Sequence, residues 1–144
     1  MAAEYAVRCI LYLSRKGKGH LVSKKEIAER TNIPANFLAK IAQELAKAGI
    51  IEIKQGARGG FSLRHDPKHI TMLAVVETII GEISLNECTT RPEVCSLSQG
   101  CSANMVWQEA KDQVRETLRK ADFASLLKKG SCCTPPQPQL EIKI

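Results

Sequence analysis

Long apolar segments are missing from this sequence. No run approaches the roughly 18 consecutive apolar residues of a membrane-spanning helix, and the N-terminus lacks the apolar core and small-residue cleavage site of a secretory signal. With 144 residues, the chain is also too short for a large multidomain enzyme. These absences predict a protein of the cytoplasm that makes no contact with a membrane.

Catalytic groupings are missing as well. The sequence has no pair of suitably placed carboxylates, no nucleophile beside a base and no phosphate-binding loop. We therefore expect a protein that is not an enzyme.

The basic side chains are concentrated in the first half of the chain. Of the formal net charge of +6, residues 1–70 carry +7 and residues 71–144 carry −1. A basic segment attracts polyanions because it neutralises phosphates and releases counterions, so nucleic acid is the first partner to consider. A solvated basic surface without a nucleic-acid partner would show the same charge.

Helix and strand signals follow one another through the first 80 residues. Apolar residues recur at three- and four-residue intervals, and Ser23-x-x-Glu26 has the form of a capping box, in which both side chains satisfy backbone donors at a helix start. Gly49 is placed to end a helix, and Thr71 is placed to begin one. The predicted helices span residues 3–15, 24–31, 35–48 and 72–80, and the predicted strands span residues 50–54 and 61–64.

This order of elements is typical of a winged helix-turn-helix with a glycine-rich hairpin as its wing. The second helix of such a pair lies in the major groove, where Asn36 can pair with adenine and Lys40 can reach phosphate or guanine. Arg58, at the hairpin tip, suits the negative potential of the minor groove. Winged helices also serve as protein interaction modules, which is the alternative at this point. The candidate reading surface comprises Pro34, Ala35, Asn36, Ala39 and Lys40.

Six cysteines are many for a short chain without a secretory signal, and they indicate metal or redox chemistry rather than disulfides. Cys88, Cys95 and Cys101 form the pattern C-x6-C-x5-C in a loop. These gaps are wider than those of structural zinc sites, which favours an iron-sulfur cluster with one coordination position left for another ligand. Three unconnected thiols are the alternative. Cys132 and Cys133, near the C-terminus, are spare thiols or additional ligands.

A long helix is predicted over residues 103–121. Its apolar stripe is too narrow for an internal core element and suits a seam between two subunits, so we expect a homodimer. Two-fold symmetry would place the two recognition helices, one from each subunit, about 34 Å apart on a near-palindromic DNA site. The stripe consists of Val106, Trp107, Ala110, Val114 and Leu118, opposite Gln108, Lys111, Asp112, Arg115 and Glu116.

The expected fold is mainly α with a small β-hairpin wing, combining a winged helix-turn-helix with a long dimerisation helix. Residues 1–80 would form the DNA-binding domain, and residues 81–129 would supply the cysteine loop and the dimerisation helix. A short terminal helix is expected over residues 122–129, before a flexible tail at residues 130–144.

Six stretches of the sequence carry a family resemblance. They are Glu4-Tyr-Ala-Val-Arg8, Ile27-Ala-Glu-Arg, Ile33-Pro-Ala-Asn-Phe-Leu, Leu45-Ala-Lys-Ala-Gly49, Gly56-Ala-Arg-Gly-Gly-Phe61, and the three loop cysteines ahead of Val106-Trp107. Together they resemble the Rrf2 family of bacterial transcription regulators, which includes the IscR, NsrR and CymR types. The resemblance implies a dimeric winged-helix protein whose loop cysteines hold an iron-sulfur cluster. Asn36 and Lys40 match recognition-helix positions that meet DNA, and Gln55 and Arg58 lie in the matching wing.

The resemblance also bears on the fourth cluster ligand. Family members with a two-iron cluster can use a histidine three residues after the last cysteine, where this chain has Asn104. Members with a four-iron cluster can use a carboxylate from the first helix of the other subunit, and Glu4 occupies that place. The expected cofactor is therefore a [4Fe-4S] cluster, favoured over [2Fe-2S], held by Cys88, Cys95, Cys101 and Glu4 of the partner subunit.

The leading functional hypothesis is a DNA-binding transcription regulator that senses redox, iron or nitric oxide status through this cluster, acting as a repressor or an activator. A second hypothesis is a winged-helix regulator without a cluster, switched by thiol oxidation or by a protein partner. A third is a small electron-transfer protein, for which the basic helix-turn-helix and wing would have no use.

Overall fold

The computed structural model describes residues 2–130, which form a mainly helical fold with one antiparallel hairpin, as predicted. Cys132 and Cys133, with most of the predicted tail, lie outside the described residues. No helix between residues 2 and 130 combines the length and apolarity that crossing a bilayer requires. The elements are α1 (Ala2–Lys16), α2 (Lys24–Thr31), α3 (Ala35–Lys47), β1 (Ile51–Lys54), β2 (Gly60–Leu63), α4 (Met72–Ile80), α5 (Ser102–Lys120) and α6 (Phe123–Lys129).

The predicted caps at Ser23 and Thr71 form. The Ser23 side chain accepts a hydrogen bond from the Glu26 backbone N–H at 3.1 Å, and Thr71 does the same for Ala74 at 3.1 Å. Each bond satisfies a backbone donor that the first helical turn leaves open. Local sequence chemistry therefore sets where α2 and α4 begin.

The second half of the predicted capping box is wrong. Instead of turning back to the Ser23 backbone, the Glu26 carboxylate accepts a hydrogen bond from the Tyr12 hydroxyl at 2.6 Å and pairs with Lys16 at 3.2 Å. The bond from Tyr12 is the main reason that the pKa of Glu26 lies below its ordinary value, while burial is the main cause of the raised pKa of Tyr12. The Glu26 side chain does not complete the capping box because Tyr12 and Lys16 of α1 lie within hydrogen-bonding distance. These contacts connect α2 to α1.

The hydrophobic core surrounds α1. Cys9 and Ile10 are fully buried there, together with Leu45 of α3 and Ile27 of α2. α6 returns to this core, where the Phe123 ring is fully buried. Two backbone hydrogen bonds hold the start of α6 against the segment before α4. Met72 N–H donates to the Ala121 carbonyl at 2.8 Å, and Phe123 N–H donates to the Ile70 carbonyl at 3.0 Å.

The hairpin has a register that pairs Ile51 with Leu63 and Lys54 with Gly60. Its outer edge is extended by Val22, which exchanges two backbone hydrogen bonds with Phe61, at 2.9 and 2.8 Å. A Cβ atom on Gly60 would lie 2.1 Å from the Val22 carbonyl oxygen. Glycine is therefore required at this position, because only a residue without Cβ allows the strand edge to approach so closely.

Candidate DNA-binding surface and cysteine loop

The predicted reading surface lies on the outer side of α3. Asn36 and Lys40 are exposed and Ala39 is half-buried. The opposite side of the helix is buried in the core through Leu38, Ile41, Ala42 and Leu45. Amphipathic spacing thus turns one face inward and leaves the residues of the first turns available to a partner.

The predicted wing residues Gln55 and Arg58 are exposed at the hairpin tip. The tip can turn so tightly because Gly56 has a φ of 102°, a left-handed conformation that glycine adopts without a steric penalty. In addition, a Cβ atom on Gly59 would lie 2.2 Å from the Lys54 carbonyl oxygen. The glycines therefore shape the loop that presents Arg58.

Glu4 is exposed in the first turn of α1 and forms an ion pair with Arg8. The Arg8 guanidinium also lies 5.7 Å from the centre of the Tyr5 ring. Tyr5 in turn contacts Phe37, with ring centroids 5.8 Å apart and an interplanar angle of 55°. The start of α1, which carries Glu4, therefore lies beside the start of the predicted recognition helix.

The three loop cysteines differ in exposure. Cys95 is exposed, while Cys88 and Cys101 are half-buried. Cys101 is the N-cap residue of α5, and Asn104 in the first turn of that helix donates to the Cys88 carbonyl at 3.4 Å. Two of the three cysteines therefore border the first turn of α5.

The structure does not gather these cysteines or Glu4 into one set of ligands. Within residues 2–130, no three histidine, cysteine, aspartate or glutamate side chains converge as a metal site would require. The donor chemistry nevertheless suits an iron-sulfur cluster, which proteins hold mainly through cysteine thiolates. Between Cys88 and Cys101 the chain makes local contacts, such as Ser98 Oγ donating to the Pro92 carbonyl at 2.9 Å.

The first part of the cysteine loop is attached to α5 by polar side chains. Gln108 Nε2 and Lys111 Nζ donate to the Thr89 carbonyl, at 3.1 and 3.3 Å. With Asn104 they lie three or four residues apart, so they occupy one face of the helix. This face of α5 packs against its own chain, although its residues are polar.

A charge network continues this attachment to α4. Arg115 makes two hydrogen bonds to the Glu77 carboxylate, at 2.7 and 3.1 Å, and Glu77 also accepts from the Ile83 backbone at 3.0 Å. The bonds from Arg115 are the main reason that the pKa of Glu77 is lowered. Lys111 pairs with Glu82 at 3.1 Å, and Glu82 lies 3.8 Å from Arg115. The sequence pattern did not reveal this network, because its acids and bases lie far apart along the chain.

The predicted apolar stripe of α5 faces outward in the single chain. Val106 is 65% exposed and Val114 is 40% exposed. Trp107, the single tryptophan of the protein, is 41% exposed. Its Nε1 donates to the Asn86 side-chain oxygen at 2.9 Å, while the Asn86 amide nitrogen donates to the Leu85 carbonyl at 2.6 Å. α5 therefore has an unusual arrangement for one chain, with polar residues inside and apolar residues outside.

Comparison with known proteins identifies the family. The model of the Rrf2 family, described as an iron-dependent transcriptional regulator, matches residues 1–129. The HTH-type transcriptional regulator NsrR of Shouchella clausii is 35% identical over 108 residues, which are 74% of this chain and 72% of the relative.

Solved structures show the same fold. CymR of B. subtilis, the global cysteine regulator, matches with a TM-score of 0.75 at 23% identity, covering 91% of this chain and 96% of the other. IscR of T. potens matches with a TM-score of 0.70 at 24% identity, covering 95% and 90%. Family and relatives are transcription regulators rather than enzymes. The family model over residues 1–129 and the identity to NsrR establish that this chain belongs to the Rrf2 family of transcription regulators.

Proposed function

We propose that this Rrf2-family regulator is a homodimer that binds a near-palindromic DNA site in the cytoplasm and senses redox, iron or nitric oxide status through an iron-sulfur cluster. The observation that carries the sensing part is the attachment of the loop at Cys88 and Thr89 to α5 by Asn104, Gln108 and Lys111. Because of these bonds, a change at the loop cysteines acts directly on the helix that we assign to dimerisation.

The arrangement of α5 supports the homodimer. Its polar face is occupied by contacts within the chain, so the exposed Val106, Trp107 and Val114 remain for another partner. A second copy of the same stripe would bury these apolar side chains, which is favourable in proportion to the area removed from water. A two-fold dimer through α5 would present two copies of α3 to the successive half-sites of a palindrome.

The exposed residues of α3 and of the wing support DNA contact. We assign base reading to Asn36, whose amide can form two hydrogen bonds with adenine, with Ala39 close to the bases. Lys40 is assigned to phosphate or guanine, and Gln55 and Arg58 to the adjacent groove at the wing. Together with the charge of +7 on residues 1–70, these positions form the electrostatic footprint of a DNA-binding surface.

If Lys40 contacts phosphate, replacing it with alanine is expected to weaken binding to all DNA sequences and to reduce the magnitude of the slope of log affinity against log salt by about one. Replacing Asn36 with alanine should instead relax the preference at one base pair, at a cost of about 1 to 3 kcal/mol. Fluorescence anisotropy at several salt concentrations would measure both, with a duplex of about 30 base pairs selected by the wild-type protein from a random pool. Lys120→Ala on α5 is the control. Equal salt slopes for Lys40→Ala and Lys120→Ala would contradict the assignment.

For the cofactor we propose a [4Fe-4S] cluster, rather than [2Fe-2S], held by Cys88, Cys95, Cys101 and Glu4 of the partner subunit. When bound, the cluster would supply a centre that changes state with iron supply, nitric oxide or oxidants. Glu4 would have to leave its ion pair with Arg8 to serve as a ligand. Its location beside the Tyr5 and Phe37 contact would place this change next to the recognition helix.

Anaerobic purification with an absorption spectrum and an iron and sulfide count tests the cofactor. We expect about four iron atoms per chain in the wild type and loss of the cluster in Cys95→Ala. This substitution spares the fold because the Cys95 side chain is exposed. Cys133→Ser is the matched control and should keep the cluster. A two-iron spectrum would contradict the nuclearity, and cluster properties unchanged in Glu4→Ala would contradict the fourth ligand.

Operator affinity tests the sensing claim separately. Cluster-loaded and metal-free protein should differ by about tenfold or more in affinity for the selected duplex at fixed salt, since a regulatory ligand typically contributes a coupling of this size. Equal affinities would show that the cluster does not regulate DNA binding.

Two observations favour the second hypothesis, a regulator without a cluster that is switched by thiol oxidation or by a protein partner. Cys95 is exposed, and the three loop cysteines do not converge in the structure. An exposed thiol is open to oxidants. Colourless, iron-free protein after anaerobic purification would favour this alternative.

A further inference from the structure

α5 buries a lysine while its apolar residues face outward. Lys111 is 7% exposed, whereas Val106 on the same helix is 65% exposed. Lysine is almost never buried without partners, because its ammonium group loses the water that stabilises the charge. The burial of Lys111 therefore depends on the groups that replace water around Nζ.

Two acceptors surround this ammonium group. One is the Thr89 carbonyl at 3.3 Å, and the other is Glu82 Oε1 at 3.1 Å. Thr89 directly follows Cys88, is itself buried, and donates from its hydroxyl to the Asn86 carbonyl at 2.6 Å. If the carbonyl moves away, a buried charged donor loses one of its two acceptors, which is unfavourable.

The contact reaches the winged unit, which comprises α1 to α4 and the hairpin, through Glu82. This carboxylate lies 3.8 Å from Arg115, which binds Glu77 on α4 through two hydrogen bonds. α4 packs against α1 and also against α3, the predicted recognition helix. A single buried side chain thus joins the backbone beside Cys88 to charges that hold α5 on α4.

We infer that Lys111 is a positioning residue that couples the conformation of the cysteine loop at Thr89 to the placement of α5 on the winged unit. Its consequence for DNA binding rests on the proposed function, in which the ligand state of Cys88 changes. A ligand shifts a conformational equilibrium only by its differential affinity for the two states, and it acts on a second element only where the contact with that element differs in free energy between those states. Lys111 supplies such a difference, because it has both acceptors in one loop conformation and loses one in another.

Lys111→Met tests this coupling, since methionine retains an unbranched side chain but has no charge and no donor. Glu82→Gln is a second variant, which removes the charge of the half-exposed partner of Lys111. It replaces Lys111→Met in the test if that variant does not fold. Lys120→Met is the control, because Lys120 lies on the same helix and its side chain is 75% exposed beside Glu116. All variants are made in the full chain.

The first measurement needs neither cluster nor DNA. Metal-free protein is alkylated with iodoacetamide, and the rate at each cysteine is read by mass spectrometry. In Lys111→Met we expect about tenfold faster alkylation of Cys88, because the neighbouring Thr89 carbonyl loses its charged donor and is held only by Gln108. Glu82→Gln should give a smaller increase. Cys95, already exposed, is the internal reference and should react at the wild-type rate, as should Cys88 in Lys120→Met. An unchanged rate at Cys88 in Lys111→Met and Glu82→Gln would overturn the inference.

The second measurement is the ratio of DNA affinities between cluster-loaded and metal-free protein, with the selected duplex. In Lys111→Met this ratio should fall to within about twofold of one at unchanged iron content, a change that a merely structural role would not produce. A wild-type ratio in that variant would overturn the coupling. If the wild-type protein itself shows no difference, the proposed sensing fails, while faster alkylation of Cys88 would still support the role of Lys111 in holding the loop.

Discussion

Replacing Phe123 with alanine is expected to lower the free energy of unfolding by about 3 to 5 kcal/mol, the usual cost of removing a buried aromatic ring from a packed core. The ring is fully buried among residues of the winged unit, although it lies at the start of α6. Urea denaturation followed by circular dichroism would measure the change. A loss of this size would unfold a marginally stable domain at moderate temperature.

Leu97→Ala is the control for this prediction, because Leu97 is 73% exposed in the cysteine loop and its truncation should change stability by less than about 0.5 kcal/mol. If Phe123→Ala were no more destabilising than the control, α6 would not contribute to the core around α1.

Replacing Val114 with glutamate is expected to convert the proposed dimer to a monomer and to weaken operator binding by about a hundredfold or more, because two linked half-sites bind far more tightly than one. Val114 lies in an open groove on α5 with Ala110 and Leu118, and it is 40% exposed in the single chain. A carboxylate there would be buried without a partner at the seam. Light scattering would measure the mass, and fluorescence anisotropy the affinity.

The matched control is Lys120→Glu, which also adds negative charge to α5 but at a side chain that is 75% exposed. Exposed ion pairs, such as that of Lys120 with Glu116, contribute little to stability, so this variant should keep the wild-type fold and the wild-type mass in solution. A Val114→Glu protein with wild-type mass and DNA affinity would rule out the apolar stripe as the dimer seam.

Expectations that depend on neighbours in sequence were confirmed, except for the return bond of Glu26 in the capping box. The caps at Ser23 and Thr71 and the amphipathic face of α3 all arise from contacts within one helix or its first turn. The glycines of the wing were recognised from sequence, but the steric reason for Gly60 was not. That reason is the approach of Val22, a residue 38 positions earlier in the chain.

The role of the polar face of α5 could not be predicted. Its periodicity identifies two faces, but periodicity alone does not say which face packs against the chain. Lys111 and Arg115 face inward because Glu82 and Glu77 lie across from them, 29 and 38 residues earlier in sequence. The diversion of Glu26 to Tyr12 has the same origin.

The helix-turn-helix, the wing, the family and the spacing of three thiols follow from the amino-acid sequence alone, because each depends on residue types and near neighbours. The burial of Phe123 in the core around α1 and the contact of the backbone beside Cys88 with a buried lysine become visible only in the folded chain. Both features depend on which residues, distant in sequence, become neighbours when apolar surface is buried. A charge that loses its water on folding is stabilised only if some of these neighbours can accept its hydrogen bonds.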